Sequence, residues 1–318
     1  MNITEELKTS IRAALPGLDV VIGWRRGFDP LHATPHFIHR VEEVDDLDIG
    51  PLSVHNLAVY LPELRGKKVG VVVKGCDSRS VVELLQEHLI NRDDLTIFGY
   101  PCNGVVDHAK IKKALGHTGR VTACEVTDSA LIIDSAGASR TLPLNTLLAD
   151  KCATCRYPDA LIHDHFCGEK TGASTDGYPA PDLAEFETLT LGDRLDFWVR
   201  EMDRCIRCYA CRNACPLCVC RDHCAAESRD PHWLSQENTV GDKLMFQVIH
   251  AYHLAGRCTE CGECQRACPM DIPILLLKKK MNQEIKDIFQ YEAGIDPEAI
   301  PPLLSFKNEE ENIKEREW

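Results

Sequence analysis

The first half of the chain alternates short apolar runs with helical patterns. Lys68-Val69-Gly70-Val71-Val72-Val73 is a continuous apolar run of strand length, the signature of a parallel strand covered on both faces. The turn Lys74-Gly75-Cys76-Asp77 follows. Val81, Val82, Leu84, Leu85 and Leu89 then recur at helical spacing, with Asp77 or Ser78 placed to cap the helix start. Leu95-Thr96-Ile97-Phe98 reads as the next strand and Gly99-Tyr100-Pro101-Cys102 as the turn beyond it. Val20-Val21-Ile22 and Leu131-Ile132-Ile133 are further strand candidates. This alternation predicts an α/β domain with a partly parallel sheet over residues 1–171.

Beyond it the texture changes. Residues 172–188 begin with a stretch rich in turn formers and read as a linker. Helices are predicted from Leu189 to Arg204, from Val240 to Leu254 and, after Pro273, from Leu275 to Phe289. The segment from Glu227 to Glu237 reads as irregular. Residues 293–318 form a charged tail, either disordered or laid as an arm on a partner.

Two copies of one cysteine spacing dominate residues 189–292. They are Cys205-x2-Cys208-x2-Cys211-x3-Cys215-Pro216 and Cys258-x2-Cys261-x2-Cys264-x3-Cys268-Pro269. Three thiolates two residues apart wrap one cubane iron–sulfur cluster. The fourth points away and ligates the other cluster, and the proline turns the chain out of the site. The spacing therefore assigns Cys205, Cys208, Cys211 and Cys268 to one 4Fe-4S cluster, and Cys258, Cys261, Cys264 and Cys215 to a second. The expected fold of residues 189–292 is an α+β bacterial-type dicluster ferredoxin domain with helical flanks. Zinc sites show paired C-x2-C halves instead, and a disulfide framework needs an oxidising compartment.

Composition bears on the setting. The 318 residues suggest two domains, and 44% hydrophobic residues suffice for a core. No apolar run is long enough for a transmembrane helix, and no signal peptide is recognised. Seventeen cysteines then imply reduced, metal-ligating thiolates in an anoxic cytoplasm. A net charge of −13 disfavours nucleic acid as a partner. Lys278-Lys279-Lys280 reads as a solvated helix face or a dock for an acidic partner.

A second constellation lies in the first domain. Cys76 and Cys102 each follow a predicted parallel strand, so both fall on the sheet edge where ligands gather. Lys151-Cys152-Ala153-Thr154-Cys155-Arg156 adds a C-x2-C pair, a spacing that by itself also fits zinc or a redox dithiol. The segments Val71 to Arg79, Phe98 to Gly104 and Cys152 to Cys155 resemble three signature segments of a known family. It is the beta-subunit family of the deazaflavin-reducing hydrogenase and the methanogen-type formate dehydrogenase. Asp164-His165-Phe166-Cys167-Gly168 falls where that family has its next aspartate–glycine segment, and the double ferredoxin looks like the formate dehydrogenase version. The resemblance implies a third 4Fe-4S cluster on Cys76, Cys102, Cys152 and Cys155. It also implies FAD in the first domain. The family's glycine- and threonine-containing turn has no counterpart before residue 60, and Arg25-Arg26-Gly27 reads more simply as a surface arginine pair.

Five cysteines remain. Cys124 reads as a small buried hydrophobe and Cys167 belongs to the aspartate–glycine segment. Cys218, Cys220 and Cys224 crowd behind Pro216 and read as S–H donors to a nearby cluster, or with His223 as the start of another site. His32, His36, His39 and His55 form no metal-selecting spacing.

Clusters move single electrons and supply no substrate chemistry. The sequence holds no nucleophile–base arrangement, no phosphate loop and no molybdenum- or nickel-ligating pattern. The main expectation is an electron-transfer subunit of an anaerobic oxidoreductase. By resemblance, its partners are the catalytic and acceptor subunits of a formate dehydrogenase, hydrogenase or heterodisulfide-reductase-type complex. The alternative is a flavin-dependent module that exchanges hydride with a deazaflavin or nicotinamide and passes electrons to the clusters. A third reading is a scaffold whose clusters only fix the fold.

Overall fold

Strand β3 (Val69–Val73) lies at the centre of the first half, every residue buried, and each of its four valines contributes about 1.5–3 kcal/mol by leaving water. The structure, a computed structural model, describes residues 2–116, 119–172, 180–220, 224, 226, 235 and 237–306. Around β3 a five-stranded sheet runs in the order β2-β1-β3-β4-β8, formed by β1 (Val20–Arg26), β2 (Ala33–Ile38), β4 (Leu95–Gly99) and β8 (His165–Phe166). The pairs β1·β3, β3·β4 and β4·β8 are parallel, and β1·β2 is antiparallel. A mixed α/β fold with a partly parallel sheet is thus what forms.

The Leu131–Ile133 run does not join this sheet. It lies in β6 (Ala130–Ser135), the middle of a separate antiparallel meander with β5 (Val121–Val126) and β7 (Ala138–Pro143). A three-residue apolar run carries no information about which sheet it enters.

The helix Gly75–Gln86 starts directly at the end of β3 and is buried on almost every face. Gly75 is required there: a Cβ at this position would overlap the main-chain carbonyl of Tyr157.

The described residues after Phe166 form helices and loops and contain no strand, so the β component of the expected ferredoxin domain is not seen among them. The helices Leu191–Arg204 and Val240–Tyr252 each start with the same cap. Thr190 Oγ1 accepts from the Asp193 N–H at 3.2 Å, and Thr239 Oγ1 from the Asp242 N–H at 3.1 Å. Trp198, Met202 and Phe246 share a second hydrophobic core with Cys205, Cys211, Cys264, Ile274 and Leu276. The first core holds the α/β half and also takes in Leu217, Leu254 and Cys258.

Two expectations change. The stretch read as linker contains the helix Pro181–Glu187, which buries Leu183 and pairs Asp182 with Lys279 and Glu187 with Lys280. Residues 173–179 of that stretch lie outside the described residues, as do His223, most of Glu227 to Glu237 and residues 307–318. The lysine run is not a solvated face. Lys278 and Lys279 are buried, because the helix Ile274–Phe289 lies with this side against the cysteine loops and the Pro181–Glu187 helix.

Candidate metal centres

The two cysteine runs adopt the same backbone. Two and four residues after the leading cysteine, Arg207 and Tyr209 in the first run and Glu260 and Gly262 in the second take left-handed φ values of 50°, 59°, 56° and 73°. Those reversals curl each loop around one point. A one-turn helix follows in both cases, Ala210–Asn213 and Glu263–Arg266. Non-glycine residues at positive φ cost free energy, so three such residues at matching positions mark a geometry imposed by the site.

The electrostatics of the thiols cross between the runs. The charge of Cys268 acts on Cys205 and Cys211, and the charge of Cys215 acts on Cys258, Cys261 and Cys264. Cys268 therefore lies near Cys205 and Cys211, and Cys215 near Cys258, Cys261 and Cys264. Main-chain N–H groups point at the sulfurs, as in Arg207 N–H to Cys205 Sγ at 3.4 Å, and Gln247 Nε2 approaches Cys211 Sγ at 3.7 Å. Burial first of all pushes the Cys211 thiol up to about 11 and the Cys261 thiol up to about 11. Thiols held this high surrender their protons when a metal takes their place.

Lys278 tests whether clusters fit here. It is 1% exposed, and its Nζ finds no hydrogen-bond partner among the described residues. Its charge pulls down the thiols of Cys211 in one set and of Cys215 and Cys264 in the other. An unpaired buried ammonium is costly, by several kcal/mol. A cubane with four thiolates is anionic and supplies the missing counter-charge on both sides. The residues present fit the group.

The first-domain cysteines meet in a third place. Cys76 sits in the first turn of the Gly75–Gln86 helix, Cys102 beyond β4, and Cys152 and Cys155 at the short helix Asp150–Ala153. All four line one cavity of about 220 Å³. Gly104 and Val105 donate main-chain N–H bonds to Cys102 and Cys152 Sγ, each at 3.4 Å. Burial raises the thiols of Cys76 and Cys155 and holds Cys102 at about 11. Lys74 forms the floor: its Nζ pairs with Asp77 at 2.8 Å, donates to the Ser53 and His55 carbonyls and lies over the Trp24 ring at 4.1 Å.

This cavity adjoins the second cysteine run. Thr259 and Glu260 form part of its wall, and Lys151 reaches across to the Cys261 carbonyl. Cys155 and Cys208 are exposed, whereas Cys258, Cys261 and Cys264 are buried. The first-domain cysteines and the second run are thus neighbours, with Cys155 exposed in the one group and Cys208 exposed in the first run.

The remaining cysteines stand apart from these sets or beside them. Cys167 contacts Ser10 Oγ at 3.7 Å, and Cys124 is half-buried on β5. Cys218 lies at 3.2 Å from His250 Nε2, a partner more than thirty residues away that no local spacing could identify.

A neighbouring cleft of about 570 Å³ runs past Lys151 towards Arg204 and Arg266, a volume within the range of ligand sites. Its arginines are already paired, Arg266 with Glu263 and Arg204 with Glu201.

Twin cysteine loops of this shape mark an iron–sulfur protein, and residues 201–272 match the 4Fe-4S dicluster domain. Along most of its length the chain resembles the formate dehydrogenase beta-subunit family. It is 26% identical over 351 aligned residues to F420-dependent formate dehydrogenase subunit beta of Methanocaldococcus jannaschii, with 91% of this chain and 90% of that protein covered. It is 25% identical over 349 residues to F420-dependent formate dehydrogenase 1 subunit beta of Methanococcus maripaludis, covering 90% and 89%. A chain of the F420-reducing NiFe hydrogenase complex from Methanosarcina barkeri superposes with a TM-score of 0.37 at 19% identity, over 48% of this chain and 59% of that one. No helix among the described residues is long and apolar enough to cross a membrane.

Proposed function

We propose that the chain is an electron-transfer subunit of a multi-subunit anaerobic oxidoreductase, carrying three 4Fe-4S clusters in a row. Cys76, Cys102, Cys152 and Cys155 hold the first. Cys258, Cys261, Cys264 and Cys215 hold the middle one, and Cys205, Cys208, Cys211 and Cys268 the last. Bound clusters supply one-electron redox chemistry. The chain's own residues fix their spacing, exclude water from the middle centre and set the local charge through Lys151 and Lys278.

The observation that carries this reading is the adjacency of the first-domain cysteines and the second run, with Cys155 and Cys208 exposed. An isolated carrier needs one accessible centre, whereas a subunit between two partners needs two. A docking surface stands beside the Cys205 loop. Leu191, Leu195 and Val199 lie four residues apart on one helix face, exposed at 79%, 55% and 40%, and Ile206 extends the stripe. A catalytic or acceptor subunit like those of formate dehydrogenase, hydrogenase or heterodisulfide-reductase-type complexes would cover it. Ile300, Leu303, Leu304 and Phe306 form a second exposed apolar stretch where the tail begins.

Copurification from an anaerobic lysate tests the reading. The expected result is a stable complex with a catalytic subunit that reduces the clusters, and its loss when Leu195 and Val199 become aspartate. Reduction of the isolated chain by a deazaflavin or nicotinamide, with bound flavin released by acid, would favour the flavin-dependent module instead.

A further inference from the structure

Cys215, Cys218 and His250 bring their ligand atoms within 4.8 Å of one another. His250 lies on the Val240–Tyr252 helix, is 2% exposed and stacks on the Phe246 ring at 5.8 Å. Its Nε2 faces Cys218 Sγ at 3.2 Å, and its Nδ1 is buried with no hydrogen-bond partner among the described residues. With its proton on Nδ1, the imidazole presents the Nε2 lone pair towards Cys218 Sγ, where a metal ion held between the two would accept it.

Cys218 and His250 line a cavity of about 220 Å³, whose wall also carries Cys220, Cys224 and His253. Its cations are already engaged: Arg257 pairs with Glu87, and Arg212 donates to the Cys220 carbonyl at 2.7 Å. The cavity is therefore rich in soft donors.

We propose that Cys218 and His250 hold a single zinc ion against the Cys215 thiolate, a fourth metal site joined to the middle cluster through that shared sulfur. Two thiolates and an imidazole select zinc over calcium or magnesium, which take oxygen ligands. Cys215 presents one sulfur to both the ion and the middle cluster, and a donor on the cavity wall completes the tetrahedron. Zinc binding releases the Cys218 thiol proton to solvent and takes lone pairs from His250 Nε2 and the existing Cys215 thiolate, with no change of oxidation state.

Zinc, iron and acid-labile sulfide are measured on the full-length protein purified anaerobically, for wild type, Cys218→Ser and His250→Gln. The expected result is about one zinc per chain in wild type, lost in both variants, with iron and sulfide unchanged. Cobalt substituted into wild type should show a thiolate-to-metal charge-transfer band that Cys218→Ser abolishes, a readout that does not depend on how the zinc-free variants fold. Wild type free of zinc, zinc retained in both variants, or iron falling by a whole cluster in Cys218→Ser overturns the proposal. Because iron and zinc are counted separately, failure of this site is distinguished from failure of the cluster assignment.

Discussion

The ammonium of Lys151 donates to the main-chain carbonyl of Cys261, joining the first-domain cysteines to the loop of the middle set. Burial lowers its pKa, but the charges of Cys76, Glu263, Cys152 and Cys261 outweigh this and raise it, so one cation faces thiols of two neighbouring centres, and the Lys151 stem packs against Gly262. Removing that charge should make both reduced clusters less favourable. Lys151→Met is expected to lower the potentials of the first-domain and middle centres together, with iron content intact. Potentiometric titration followed by EPR checks this; a shift at one centre alone would contradict the shared position.

Lys278→Met should have two effects of opposite sign. In cluster-free protein it removes an unpaired buried cation and raises thermal stability. In the loaded protein it removes a charge interaction of about 1–2 kcal/mol at an effective dielectric near 20, lowering the cluster potentials by on the order of 50–100 mV. Calorimetry of the apo form and redox titration of the loaded form read the two effects separately.

Much of this was legible in the sequence, and the reasons differ by element. The apolar run at Val69–Val73 pointed to a doubly covered strand, and the paired cysteine runs showed in their spacing that two like loops would form. The sheet edge that gathers Cys76 and Cys102 followed from the strand–turn–helix pattern. Strand β2 was missed because Ala33–Ile38 contains Pro35 and His36 and pairs only at the sheet's outer edge. The burial of Lys278 was missed because charge predicts exposure unless a counter-charge is present, and here that counter-charge is not a side chain. His250 was missed because its contact with Cys218 depends on how the Val240–Tyr252 helix packs against the loop after Pro216.

Glu83 is expected to make stability fall as pH rises. Burial, and then the neighbouring Glu87, push its carboxyl up to about 8 from an ordinary value of 4.5. Tyr291 donates its hydroxyl to Glu83 Oε1 at 3.2 Å across the contact between the two halves. The folded state therefore holds a proton that the unfolded chain releases near 4.5. Its contribution is complete below that pH and is lost as pH climbs towards 8, by at most about 1.4 kcal/mol per unit. Glu83→Gln should flatten this part of the profile, as chemical denaturation at several pH values would show.

Gly75→Ala should disturb the first-domain centre alone. The added methyl meets the Tyr157 carbonyl, so the turn carrying Cys76 must move away from Cys152 and Cys155. The expected outcome is loss of one cluster's worth of iron with the EPR signals of the other two retained. An unchanged iron count would show that the cavity does not hold a cluster.

Iron and acid-labile sulfide per chain, measured on anaerobically purified wild type and Cys102→Ser, test the three-centre row most directly. The expected result is about twelve irons and as many sulfides in wild type, four for each cubane, falling to about eight in the variant. About eight irons in both proteins, or zinc in place of iron, would contradict it.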